Sequence, residues 1–404
     1  MQKKIFEGIK ILDFTWVGVG PVTIKYFADH GATVVHVEST TRPDVLRLAG
    51  PFRDNEPGND RCGFFANFNS GKYGITLNLA TDEGKNIAKE LVAWADIVAN
   101  SYTPRVMERW GLDYENICKI KPDIINFATC QQGQTGPYKE YAGFGMQGAA
   151  LAGVYHLTGW PDRQPAGPYG AYTDFINPRM GALAIAAALD FKRRTGKGTN
   201  IDLSQTEGGL QFVAPTILQY SANKESAYRS GNQSDYQSPH GIFPCKGEER
   251  WIAIAVSTDK EWQNLIHSIG NPDWAHEEKF STMSSRISNN GELECHLWAT
   301  TIEWEAYELM NTLQEREVPA GVVQKTSDLF EDPQLTHRKH FWFLDHPEIG
   351  NHSYDGPSFR LSKTPGEISM PAPLMGQHNE HVFKDLLGMS EERFVENLIN
   401  EVFE

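Results

Sequence analysis

The chain predicts an α/β protein: a doubly wound large domain over residues 1–220, a smaller α+β domain over 221–325 and a tail over 326–404 that wraps over a core. Three observations carry this. Short apolar runs alternate with helical patterns up to residue 127, the sequence turns polar from Ser221 to His240 before a hairpin pattern begins, and the segment from Asp345 onward is rich in Pro and Gly.

Ile9 to Phe14 reads as a buried strand, Trp16 to Pro21 as a glycine-containing turn, Val22 to His30 as a helix stopped by Gly31, and Thr33 to Val37 as a second strand. In this βαβ unit Gly18 and Gly20 match two glycines of a GxGxxG pattern, but Thr23 stands at the third, so the dinucleotide fingerprint is incomplete. Strands follow at Gly74 to Leu79, Ile97 to Ala99 and Ile124 to Phe127, with helices at Asp82 to Trp94 and Tyr114 to Ile120. Asn177 and Pro178 read as N-cap and first residue of a helix through Phe191, closed by Lys192, Arg193, Arg194 and Gly196. Beyond the polar break, Ile242 to Cys245 and Trp251 to Val256 form a hairpin through Lys246-Gly247, and Thr258 with Glu261 makes a capping box ahead of a helix. The tail ends in a helix near Glu380 to Leu387.

Composition narrows the function. Of 404 residues, 40% are hydrophobic and 22% charged, an ordinary globular balance. Thirty-seven Lys and Arg against 52 Asp and Glu leave a net charge of −15, which repels a polyphosphate backbone and argues against nucleic acid. A small anionic ligand needs only a few basic groups within a Debye length, ~8 Å at physiological salt. No apolar run reaches the ~18 residues of a membrane span, and the Gln2-Lys3-Lys4 start is too interrupted by charge for a signal peptide. Five cysteines without a CxxC pair read as reduced thiols, and the expected location is the cytoplasm without membrane attachment.

Several site patterns fail. Gly71-Lys72 lacks the Walker spacing, and the His337/His340 and His378/His381 pairs lack a carboxylate partner, so no metal is expected. No GxSxG or Cys-His nucleophile signature is present. Asp174 stands three residues before the expected N-cap, where a helix N-terminus favours a charged and nucleophilic carboxylate. Spacing alone favours a turn or capping role over a nucleophilic one.

Thr173-Asp174, the helix after it, and Arg194-Thr195-Gly196-Lys197-Gly198-Thr199-Asn200-Ile201-Asp202-Leu203-Ser204 resemble the class III CoA-transferases, which include formyl-CoA, carnitine and benzylsuccinate CoA-transferases. The likeness continues in Leu12-Asp13-Phe14-Thr15, Asn69-Ser70-Gly71-Lys72, Gly133-Gln134-Thr135-Gly136-Pro137-Tyr138, Val318-Pro319-Ala320-Gly321 and Pro371-Ala372-Pro373-Leu374-Met375-Gly376. The resemblance implies a Rossmann-like large domain completed by the returning tail, and two interlocked chains. It implies transfer of CoA from an acyl-CoA to a small carboxylic acid, with CoA thioesters as substrates and no tightly bound cofactor. The family's catalytic aspartate falls on Asp174, and its CoA contacts on Val17, Val19, Lys72 and Arg109. Gly143 and Gly145, or the Gly231 loop, are expected to stabilise oxyanions, and Trp16 and Tyr172 to add aromatic surface at the acyl site, which suits an aryl or quaternary ammonium acid.

The chain departs from the family pattern at Gly18, Thr103 and Gly145, where glutamine, a basic residue and an acidic residue are common. The same fold houses α-methylacyl-CoA racemases, but the position of their histidine before Gly145 is Phe144 here, which removes one of two required acid-base groups. A further alternative is a non-catalytic subunit of a heteromer, against which Asp174 argues; the assembly expected is a homodimer or a heteromer with a related chain.

Overall fold

The computed structural model describes residues 4–404; the first residues of the start read above for a signal peptide lie outside the described residues. The large unit comprises residues up to 155, 167–227 and 337–404, and the second unit comprises 156–166 and 228–336.

In the large unit the chain runs β1 (Lys10–Phe14), α1 (Val19–Asp29), β2 (Thr33–Glu38), α2 (Gly63–Asn69), β3 (Tyr73–Thr76), α3 (Asp82–Trp94), β4 (Ile97–Asn100), α4 (Pro104–Trp110), α5 (Tyr114–Ile120) and β5 (Ile125–Cys130). It continues through α6 (Gly145–Leu151), the single turn α7 (Val154–Leu157), α8 (Tyr172–Thr195), β6 (Thr199–Ser204), α9 (Gln205–Phe212) and α10 (Ala214–Asn223). The six strands form one all-parallel sheet in the order β3-β2-β1-β4-β5-β6. The winding direction reverses between β1 and β4, and the crevice at the carboxyl ends of such strands is where open α/β sheets take ligands.

Both faces of the sheet are covered, which is why its strands read as apolar runs. Alternation sends Ile11 to one core, with Ile24 and Phe27 of α1 and Ile185 of α8. Leu12 goes to the other, with Leu91 of α3, Ile117 of α5, and Phe383 and Phe403 of the tail.

Three expectations shift. Helix α1 begins at Val19 instead of Val22, because Pro21 sits within the first turn, where its missing N–H is harmless. Strand β3 ends at Thr76: Leu77 N still donates to Glu38 O of β2 at 2.9 Å, but Asn78 N leaves the sheet for Val402 O at 2.8 Å. Helix α8 begins at Tyr172, so Asn177 and Pro178 lie inside it. The Asn177 amide donates to Thr173 O at 2.9 Å and to Gln205 O at 3.1 Å, tertiary ties that outweigh its local preference for capping.

The second unit holds the antiparallel sheet β7 (His240–Pro244), β8 (Trp251–Ala255) and β9 (Ala320–Val322). Helices α11 (Asp259–Ser268), α13 (Asn290–Thr301) and α14 (Ala306–Glu315) supply Trp262, Leu297 and Leu309 to its core, the short α12 (Met283–Ser288) precedes α13, and α15 (Thr326–Glu331) and α16 (Pro333–His337) follow β9. Thr258 caps α11 by accepting from Glu261 N, as its sequence pattern suggests. The tail carries more structure than the single helix expected: a hairpin of β10 (Phe341–His346) and β11 (Gly350–Asp355), a π-helical turn over His381–Leu386, and α17 (Glu391–Ile399). Among the described residues no helix is long and apolar enough to cross a membrane.

Candidate active site

Asp174 is the third residue of α8, which begins after Ala171, and its N–H donates to Ala171 O at 2.8 Å. Pro178, four residues on, has no N–H to return to the Asp174 carbonyl, so the helix is locally released around this residue. The side chain is only 8% exposed. Oδ2 accepts the Gly145 N–H at 3.3 Å, and among the described residues no cation pairs with the carboxylate. Burial pushes its pKa up to about 6, against the smaller opposing pull of the Gly145 amide.

Main chain closes on this carboxylate from two sides. A Cβ on Gly18 would lie 2.8 Å from Asp174 Cβ, and one on Gly145 would lie 2.6 Å from Asp174 Cγ, so neither position accepts a side chain without moving the aspartate. The first of these approaches depends on an unusual turn. Val17 has φ +64°, a left-handed conformation that is unfavourable for an L-residue by about 1–2 kcal/mol. Its N–H donates to both carboxylate oxygens of Asp44, at 3.0 and 3.2 Å. Burial pushes Asp44 up to about 6, with the amides of Leu46 and Val17 pulling the other way.

Asp174 opens into a cavity of about 240 Å³ walled by Trp16, Val17, Gly18, Val19, Gly143 and Phe144. A second cavity of about 490 Å³ shares Trp16 and Tyr102 with the first, and is lined by the cations Arg42, Lys85 and Arg109. Its one carboxylate, Glu38, is taken up by Arg47 at 2.7 Å. This part of the surface is locally basic on a chain of net charge −15.

The fold therefore brings Trp16, Val17, Val19, Gly143 and Gly145 to Asp174, and Arg109 to the adjoining cavity. It separates two others. Lys72 is completely buried, and its ammonium donates to Asp13 Oδ2 at 3.0 Å, Asn69 Oδ1 at 2.9 Å and Pro21 O at 3.2 Å. All three protons have partners inside the core, and Lys72 lines neither cavity in this structure. Tyr172 is not among the walls of the Asp174 cavity and packs edge-on against Phe212 at 6.3 Å, beside Val213. In the second unit the Gly231 N–H donates to Gly159 O at 2.9 Å, which engages the amide that the alternative oxyanion loop required.

Sequence reasoning missed Arg42, Asp44, Lys85 and the close approach of Gly18. The signal for the first two was available: Ser39 to Asp44 follow the carboxyl end of β2, where ligands of open α/β sheets bind.

The model of CoA-transferase family III matches residues 6–379. The chain is 30% identical over 386 residues to succinyl-CoA–D-citramalate CoA-transferase of Chloroflexus aurantiacus, covering 96% of this chain and 95% of that one. It is 30% identical over 402 residues to succinyl-CoA:glutarate CoA-transferase of Mus musculus, covering 99% and 91%. The crystal structure of a CAIB/BAIF family protein from Brucella suis matches with a TM-score of 0.86 and 29% identity, over 95% of this chain and all of that one (100%).

Proposed function

The chain belongs to CoA-transferase family III, and from that membership we propose that Asp174 carries the group in transit as CoA moves from an acyl-CoA donor to a free acid. The observation that carries the reading is the Asp174 carboxylate, paired with no cation among the described residues, in a cavity that shares walls with a larger basic one. Arg42, Lys85 and Arg109 suit the phosphates of CoA, and the shared walls Trp16 and Tyr102 lie between them and the carboxylate.

The chemistry then runs on this chain's own groups. The ionised carboxylate attacks the thioester carbonyl, the C–S bond breaks, and a mixed anhydride forms with release of CoA thiolate. The thiolate attacks the aspartyl carbonyl, giving an aspartyl-CoA thioester and the free donor acid. The acceptor carboxylate attacks this thioester, forming a second anhydride, and the returning thiolate takes the acceptor acyl group and restores Asp174. Thioester is exchanged for thioester, so no other energy source enters. A pKa of about 6 suits the role: the carboxylate is ionised at neutral pH yet more basic than an ordinary one. The Gly145 N–H, on Oδ2 in the resting state, is placed to hold that oxygen as an acyl oxygen.

The names of the relatives include succinyl-CoA as donor, and we extend this to the present chain: the donor is a short dicarboxylic acyl-CoA such as succinyl-CoA, and the acceptor a small carboxylic acid. The strand order supports the Rossmann-like reading of the sheet. A dimer is supported by apolar surface on two helices. Leu183 of α8 is exposed, and α10 buries no residue while presenting Ile217, Leu218 and Tyr220. Light scattering should then report twice the chain mass or a multiple.

The deciding experiment incubates the protein with succinyl-CoA alone and treats it with hydroxylamine or borohydride. Modification of the peptide containing Asp174 is expected, whereas an adduct elsewhere or none at all sinks the mechanism. A panel of acyl-CoAs and acids, with exchange read by mass, tests the donor class.

A further inference from the structure

Asp44 is fully buried and takes no part in the steps above. It nevertheless grips the turn that faces Asp174. Oδ2 accepts the Val17 N–H at 3.0 Å and Oδ1 accepts it at 3.2 Å, while Oδ1 also accepts the Leu46 N–H at 2.9 Å at the start of the helical turn Val45–Leu48. The grip is anchored from behind. Asp44 N donates to Glu38 Oε1 at 3.2 Å, and Glu38 is held by Arg47 through bonds of 2.7 and 2.9 Å.

The gripped residue is the one that resists its conformation. A valine at φ +64° crowds its branched side chain against the backbone, and turns containing such a residue persist only where surrounding structure holds them. The residues on either side are fixed as well. Trp16 N donates to Ser101 Oγ at 2.8 Å, and Gly18 abuts Asp174. Val45, the neighbour of Asp44, lines the same cavity as Asp174. A residue needed only as a helix cap would use the bond to Leu46 and leave Val17 alone.

We propose that Asp44 is a positioning residue for CoA transfer: its carboxylate fixes the left-handed Val17 peptide and so aligns the Trp16–Gly18 turn against Asp174. The inference rests on reading Asp174 as the group that takes the acyl carbon.

The test is a cycle of variants read as steady-state kcat and KM for acyl-CoA per folded molecule. Asp44→Ser still caps Leu46 but is too short to reach Val17. It should lower kcat ~10–100-fold, as misalignment at a reacting centre does, with KM changed less than about threefold. Glycine adopts φ +64° without strain, so in a Val17→Gly background the same Asp44→Ser change should lower kcat less than about threefold. Equal losses in the two backgrounds overturn the proposal and leave Asp44 a cap. If Asp44→Ser alone is insoluble, recovery of soluble, active protein on adding Val17→Gly supports the proposal, and failure to recover overturns it. The role of Asp174 is decided separately by the adduct on the native protein. A missing adduct with the Asp44–Val17 coupling intact refutes that reading and leaves the turn's alignment standing.

Discussion

Asp13 and Asp174 are both buried carboxylates of the same unit, yet their chemistry diverges. Asp13, at the end of the central strand, is 0% exposed and has Lys72 at 3.0 Å and His36 at 3.1 Å. Burial alone would raise its pKa, but Lys72, His36 and a bond from Thr15 outweigh that and hold it well below the usual carboxylate range. Asp174, 8% exposed, has one backbone amide and, among the described residues, no cation, and burial takes it up to about 6. A partner of opposite charge holds a buried acid ionised and fixed; withholding that partner leaves one that is more basic.

The stability consequences have opposite signs. With its folded pKa depressed, Asp13 stabilises the fold at every pH above the ordinary value of 3.8 and loses that contribution only as pH falls further. With its folded pKa raised, Asp174 favours the fold most when protonated, and that advantage is lost as pH rises from 3.8 to about 6.

The largest test of the contrast is Asp174→Asn. Transfer should fall more than ~10³-fold, since the nucleophile is gone. At pH 8 the variant should be more stable than the native protein, by up to ~3 kcal/mol on the scale of 1.36 kcal/mol per pKa unit, with the gap closing as pH is lowered through 6. Urea melts at pH 8 and 5 check this. The native rate itself should fall about tenfold per unit below pH ~6.

Lys72→Met breaks the other side of the contrast by leaving Asp13 buried without its cation. We expect a loss of ~3–5 kcal/mol in denaturant unfolding, with KM for acyl-CoA of the folded protein unmoved. An increased KM at native stability would restore Lys72 as a CoA contact.

Gly145→Ala keeps every charge and sharpens the role of geometry. Its Cβ would start 2.6 Å from Asp174 Cγ, and displacing the carboxylate should lower kcat ~10²-fold while acyl-CoA binding persists. The smallest effect is expected at Arg109→Ala. The side chain is exposed, so its loss should raise KM for acyl-CoA by about tenfold or less and leave kcat within about twofold.

What was readable in the sequence was what adjacency determines. Helices α3 and α5 fall where the alternating pattern puts them, and α8 stops at Lys192 to Gly196 as written. Asp174 emerged because its surroundings in the chain resemble those of a known family, which needs no knowledge of contacts.

Tertiary structure decided what depends on distant partners. Asn177-Pro178 is a strong local start signal, but the Gln205 carbonyl, 28 residues on, takes the Asn177 amide and the helix begins at Tyr172, six residues before Pro178. Lys72 has no neighbour in sequence that marks it as a core residue; Asp13, 59 residues away, does. Gly18 reads as a flexible turn residue until α8 is packed against it. The periodicity of side chains sets which face of an element is apolar and where it ends. Which buried charge meets its opposite is set by chain segments far apart in sequence, and in this protein that pairing separates Asp13, held by Lys72 and His36, from Asp174, which has a backbone amide and, among the described residues, no cation.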